Sequence, residues 1–149
     1  MKLRAAIEIV LKGKGGEIFS IASSATVYEA LVLMANKRIG ALLVMDDGEI
    51  VGMFSERDYA RKVILVGRSS KEVKVCEIMS SPVITVEPDT TVDQCMQHMM
   101  GRRCRHLPVV DDGKILGVVS IGDLVNWIMT RQERTIHDLE DYISGDYPG

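Results

Sequence analysis

Sliding the 149-residue chain by 65 positions places 26–58 over 91–123 without a gap. Thirteen of the 33 aligned positions are identical: Thr, Val, Met, Arg, Leu, Val, Asp, Asp, Gly, Ile, Gly, Ser and Asp in chain order. Such self-similarity restricts the fold to two copies of one unit. The copies span 16–66 and 76–131, joined by the polar stretch 67–74 and flanked by 1–15 and 132–149.

Each copy carries the same succession of signals. A β-type run, 18–21 or 83–86, precedes Thr26-x-x-Glu29 or Thr91-x-x-Gln94, which are capping-box patterns that start a helix. Behind the caps, Val27, Ala30, Leu31 and Met34 stand at i, i+3, i+4 and i+7, and Val92, Cys95, Met96 and Met99 repeat the register. These are core faces. Two apolar runs then flank an Asp-Asp-Gly turn, a hairpin signal because both turn positions want positive φ. A second helix follows, giving β-α-β-β-α twice and an α/β fold of α+β character. Further helices are expected over 3–11 and 135–143.

Composition narrows the function classes. A net charge of −3 and a pI near 5.6, with basic residues gathered only at Arg102, Arg103 and Arg105, leave no nucleic-acid footprint. The N-terminal apolar stretch is interrupted by Glu8, so neither a spanning helix nor a signal peptide is expected and the cytoplasm is the default. Cys76, Cys95 and Cys104 lack the spacing of a zinc site or disulfide framework, and no metal is expected. The "GKGG" at 13–16 lacks the spacing of a phosphate loop and reads as a loop.

The hairpin's second strand ends in Gly52-x-x-Ser55-x-x-Asp58 and again in Gly117-x-x-Ser120-x-x-Asp123. Ser-x-x-Asp is a helix cap that needs no ligand. Glycine inside an apolar strand is not explained by a cap; it marks close approach of something else, of which a bound group is one example. A helix N-terminus with a serine hydroxyl suits phosphate, and an aspartate can accept both hydroxyls of a ribose. Capping alone and a nucleotide site therefore stand as the two readings. Arg57 supplies a phosphate-matching cation in the first copy, where the second has Gly122, so phosphate is expected first at Arg57.

The duplicated β-α-β-β-α unit, its "DDG" hairpins and both Gly-h-h-Ser-x-x-Asp endings resemble a tandem pair of CBS domains, and the likeness covers 16–131. The resemblance implies a pseudo-two-fold regulatory module that binds an adenosine ligand, AMP first, with ADP, ATP, NAD or S-adenosylmethionine as alternatives. Each cleft in that family is composite. Ser55, Arg57 and Asp58 would work with Val83, Ile84, Thr85, His106 and Leu107. Ser120 and Asp123 would work with Ile18, Phe19, Ser20, Ala41 and Leu42, with Arg105 and His106 near the phosphates. The second cleft, lacking its own cation, is left to bind a nucleoside, bind weakly, borrow Arg105 or stay empty.

The helices after the motifs, with Tyr59, Val63, Ile64, Leu65 and Val66 and with Leu124, Val125, Trp127, Ile128 and Met129, are apolar all round, and the resemblance implies a homodimer that covers them. No base, metal cluster or activated nucleophile assembles from the motifs, so a sensor acting on an effector in trans is expected rather than an enzyme. A structural dimerisation module without ligand is the alternative. The acidic tail from Glu133 either clasps a partner or is a solvated helix.

Overall fold

The computed structural model describes residues 4–15 and 17–131; the helix expected over 135–143 and the acidic tail lie outside them. The elements are α1 (Ile7–Lys14), β1 (Ser20–Ile21), α2 (Val27–Lys37), β2 (Ala41–Asp46), β3 (Glu49–Ser55) and α3 (Glu56–Tyr59), which widens into π-helical turns over Ala60–Ile64. They continue with α4 (Val75–Ile78), α5 (Val92–Arg102), β4 (His106–Asp111), β5 (Lys114–Ser120) and α6 over 121–131. The chain divides into two compact units, 18–84 and 1–17 with 85–149.

In the 18–84 unit, β2 pairs antiparallel with β3 and parallel with β1. The Asp47-Gly48 turn has φ of 51° and 78°, the left-handed geometry that the Asp-Gly pair supplies. Its core joins Val27, Ala30 and Met34 of α2 to Leu42, Val44 and Phe54 of the hairpin. Val63, Val73, Val75 and Ile78 complete it. The stretch 67–74 is therefore more than a polar joiner: Val73 is buried and α4, which the sequence did not signal, follows directly.

The other unit repeats this plan. β4 and β5 form the hairpin, with Asp112 and Gly113 at φ of 50° and 78°. Val92, Cys95, Met99, Leu107, Val109 and Val119 are buried, 65 residues after their counterparts. The run 83–86, expected as a strand, shrinks to one bridge, Val86 to Val109. Pro108 is the reason: Leu43 N–H donates to the Phe19 carbonyl in the first repeat, and proline in the equivalent place has no N–H to offer Ile84.

Each unit is closed by a segment from outside its own repeat. Ile7 N–H donates to Thr90 O and Val92 N–H to Ala5 O; Val75 N–H donates to Ala25 O and Val27 N–H to Val73 O. The segment before the first repeat thus completes the second, and the segment between the repeats completes the first. The expected helix over 3–11 starts later, at Ile7, because residues 5 and 6 form this bridge.

This docking explains the strand glycines. A Cβ on Gly117 would lie 2.5 Å from Leu11 Cδ1, and one on Gly52 would lie 2.8 Å from Met79 Cγ and nearer still to its sulfur. The close approach is by a hydrophobic side chain, so the glycines carry no argument for a ligand. Overpacking such a contact costs about 1–3 kcal/mol. Gly117→Val should lower unfolding stability in urea by that amount, and Leu11→Ala in the same chain should recover part of it; additive losses would show that the two positions do not share the space.

Candidate functional site

Ser55 begins α3 as a full capping box. Its backbone N–H and hydroxyl lie 3.1 Å from Asp58 Oδ2, and Asp58 N–H donates back to Ser55 Oγ at 3.2 Å. The other carboxylate oxygen is also engaged: Ser80 Oγ donates to Asp58 Oδ1 at 3.1 Å and Lys62 Nζ lies 3.2 Å from it. Lys62 additionally donates to Ile78 O. Asp58 is the one charged residue among those described that is buried, at 9% exposure, and its neighbours account for both oxygens. Arg57 points from an exposed position.

The Ser120–Asp123 motif has the same cap and a different surround. Ser120 N–H donates to Asp123 Oδ2 at 2.8 Å, and Asp123 N–H donates to Ser120 Oγ at 3.1 Å. Lys14, at the end of α1, donates to the same Oδ2 at 2.8 Å and to Val118 O at 2.7 Å. Asp123 Oδ1 accepts from no described residue. Burial raises the Asp123 pKa, but the Lys14 ammonium and the Ser120 backbone outweigh it and leave the carboxyl below its ordinary value. Cross-strand pairing sets His106 opposite Ser120. Burial, with Lys14 nearby, holds the His106 pKa below its usual value, against the pull of Asp123.

Few backbone donors remain at either helix start. Gly40 O accepts from Glu56 N–H and Arg105 O from Ile121 N–H, both at 2.9–3.0 Å. The caps take the N–H groups of Asp58 and Asp123, which leaves those of Arg57 and Gly122 without a partner among the described residues. The anion site foreseen from a bare helix terminus is therefore narrow, and side-chain cations must supply most of any phosphate recognition.

The remaining candidates fall as follows. Ala41 pairs with Ser55 and Leu42 with Phe54 within the 18–84 unit, which also holds Ile18, Phe19, Ser20, Val83 and Ile84. Thr85, Arg105, His106 and Leu107 belong to the other unit with Ser120 and Asp123. Leu42 and Leu107 are fully buried in their hairpins, so neither side chain is open to a ligand. Arg105 and Thr85 are exposed.

Sequence reasoning missed Lys14, Lys62 and Ser80. Lys14 sits in the "GKGG" stretch read as a loop, 109 residues from Asp123, and no spacing rule links them. Two of the three cysteines offer little nucleophilic character: burial pushes the Cys95 thiol up to about 11 and raises that of Cys104, while Cys76 is exposed. Among the described residues no group of three His, Cys, Asp or Glu side chains could hold a metal, and no helix is long and apolar enough to cross a membrane.

The family model described as "CBS domain" matches residues 15–65 and 75–130. The CBS domain-containing protein CBSX3, mitochondrial, of Arabidopsis thaliana is 41% identical over 95% of this chain and 73% of its own length. A solved structure of a protein with CBS domains from Burkholderia ambifaria is 47% identical and superposes with a TM-score of 0.81, covering 86% of this chain and 96% of that one. A CBS domain pair of the protein MJ0100, 24% identical with a TM-score of 0.73 over 85% of this chain and 98% of its own, was solved in complex with 5-methylthioadenosine and S-adenosyl-L-methionine. The two matched repeats and the shared architecture make this chain a member of the CBS domain family.

Proposed function

We propose that the chain is a regulatory module that binds an adenosine-containing ligand through its Ser-x-x-Asp motifs and passes occupancy to an effector in trans. The observation that carries this reading is the Asp123 carboxylate. It is ionised, held in place by Ser120, 24% exposed, and keeps one oxygen open among the described residues. Such a group can accept hydrogen bonds from a ribose diol without disturbing the cap. The adenosine compounds in the MJ0100 pair support the ligand class. AMP is the first candidate, with ADP, ATP, NAD and S-adenosylmethionine behind it.

Binding rather than catalysis fits the chemistry, since Asp58 is committed to its neighbours and the buried thiols are weak nucleophiles. Occupancy acts as a signal only if the ligand favours one of two states of the protein. The exposed apolar residues Ile64, Leu65, Val66, Val125 and Met129 support a homodimer, while Val63 and Leu124 are already buried within their own units. The same reading keeps the protein in the cytoplasm, although the Arabidopsis relative bears a mitochondrial description. The alternative, a structural dimerisation module, is favoured by one observation: caps and glycines are satisfied by the protein itself.

A thermal-shift panel of AMP, ADP, ATP, NAD and S-adenosylmethionine separates the two. Ligand at about 100 times its Kd adds about 2.7 kcal/mol, a shift of several degrees for a chain of this size. No shift with any compound favours the structural module. For a ligand that does shift the protein, Asp123→Ala should remove most of the effect measured by calorimetric titration; retained affinity in a folded variant would refute the ribose assignment. Asp58→Ala should act first on stability, lowering it by about 1–3 kcal/mol in urea unfolding, because it removes the return half of the capping box and leaves the part-buried Ser55 N–H and hydroxyl without their acceptor.

A further inference from the structure

The two motifs share their letters but are not equally available, and the difference lies in what reaches each aspartate. Asp58 has Ser55 on one oxygen and Ser80 with Lys62 on the other, at 9% exposure. Asp123 carries Ser120 and Lys14 on one oxygen only. Lys14 has three donors and uses two, on Asp123 and the Val118 carbonyl, while remaining 38% exposed. It enters the site from α1, where Leu11 packs over Gly117 one turn earlier.

Resting on the adenosine-binding reading above, we propose that Ser120–Asp123 is the working ligand site and that Lys14 is its specificity-determining cation, selecting adenosine ligands that carry a phosphate. Lys14 fills the role that Arg57 has by sequence in the first motif and that Gly122 vacates in the second. With the ribose on Asp123 Oδ1, the ammonium and the Gly122 N–H are the two donors left for a phosphate oxygen. A neutral nucleoside gains nothing from that ammonium. S-adenosylmethionine carries a sulfonium on the ribose carbon where AMP carries its phosphate and meets a like charge there, its carboxylate lying farther along the methionine chain. The lysine also ties occupancy to α1, so a bound phosphate would be felt by the helix that closes this unit.

The test is calorimetric titration of the full chain with AMP, adenosine and S-adenosylmethionine, in the native protein, Lys14→Met and Lys14→Arg. Lys14→Met should weaken AMP by about tenfold, as expected for one charge-assisted hydrogen bond, and leave adenosine unchanged, with Lys14→Arg recovering AMP binding. Equal losses for AMP and adenosine would reduce Lys14 to a structural role and overturn the proposal. So would unchanged AMP binding in Lys14→Met combined with its loss in Arg57→Ala, which would assign the phosphate to the first motif. A native protein that binds adenosine or S-adenosylmethionine as tightly as AMP refutes the phosphate selection while the adenosine-site reading survives. A native protein that binds none of the three, nor ADP, ATP or NAD in the same titration, overturns both.

Discussion

The packing of Leu11 over Gly117, and of Met79 over Gly52, is the contact on which the rest of the structure depends. Without a side chain on the strand, the incoming segment can lie close enough for its backbone to bond at the start of the neighbouring helix, and its apolar residues enter the core: Ile7 and Val10 in one unit, Val75 and Ile78 in the other. The same contact positions the site. Leu11 and Lys14 are three residues apart on α1 and so share a face, which brings the ammonium to Val118 O and Asp123 once Leu11 is seated.

Duplication supplied two equal motifs, and small departures from the repeat made them unequal. Pro108 in place of Leu43 removes a donor and reduces a strand to a bridge. Ser80 and Lys62 close around Asp58, whereas Asp123 receives a lysine from a different segment and keeps one oxygen without a partner among the described residues. A cap of identical sequence therefore serves as a satisfied internal joint in one place and as a chemically available carboxylate in the other.

Much of this was legible in the residues. The 65-residue repeat, the Asp-Gly hairpins and the caps at Thr26, Thr91, Ser55 and Ser120 are short-range patterns whose geometry is set within a few bonds, and each forms where its spacing predicts it. Thr26 is the partial case, since its hydroxyl accepts from Glu29 N–H without a return bond from the Glu29 side chain. The strand glycines were legible as close approaches, but not the group approaching: a residue that lacks a side chain records that space is needed and nothing about what fills it.

By itself the sequence determined the architecture of each repeat, because turn chemistry, capping and apolar periodicity are local and occur twice in register. Only the tertiary structure decided which outer segment closes which repeat, and with it the surroundings of the two aspartates. Those surroundings rest on contacts such as Lys14 with Asp123, 109 residues apart, made because Leu11 finds a gap at Gly117. No local propensity encodes that meeting; it follows from two apolar surfaces burying each other, and the charge at the end of the helix is carried along.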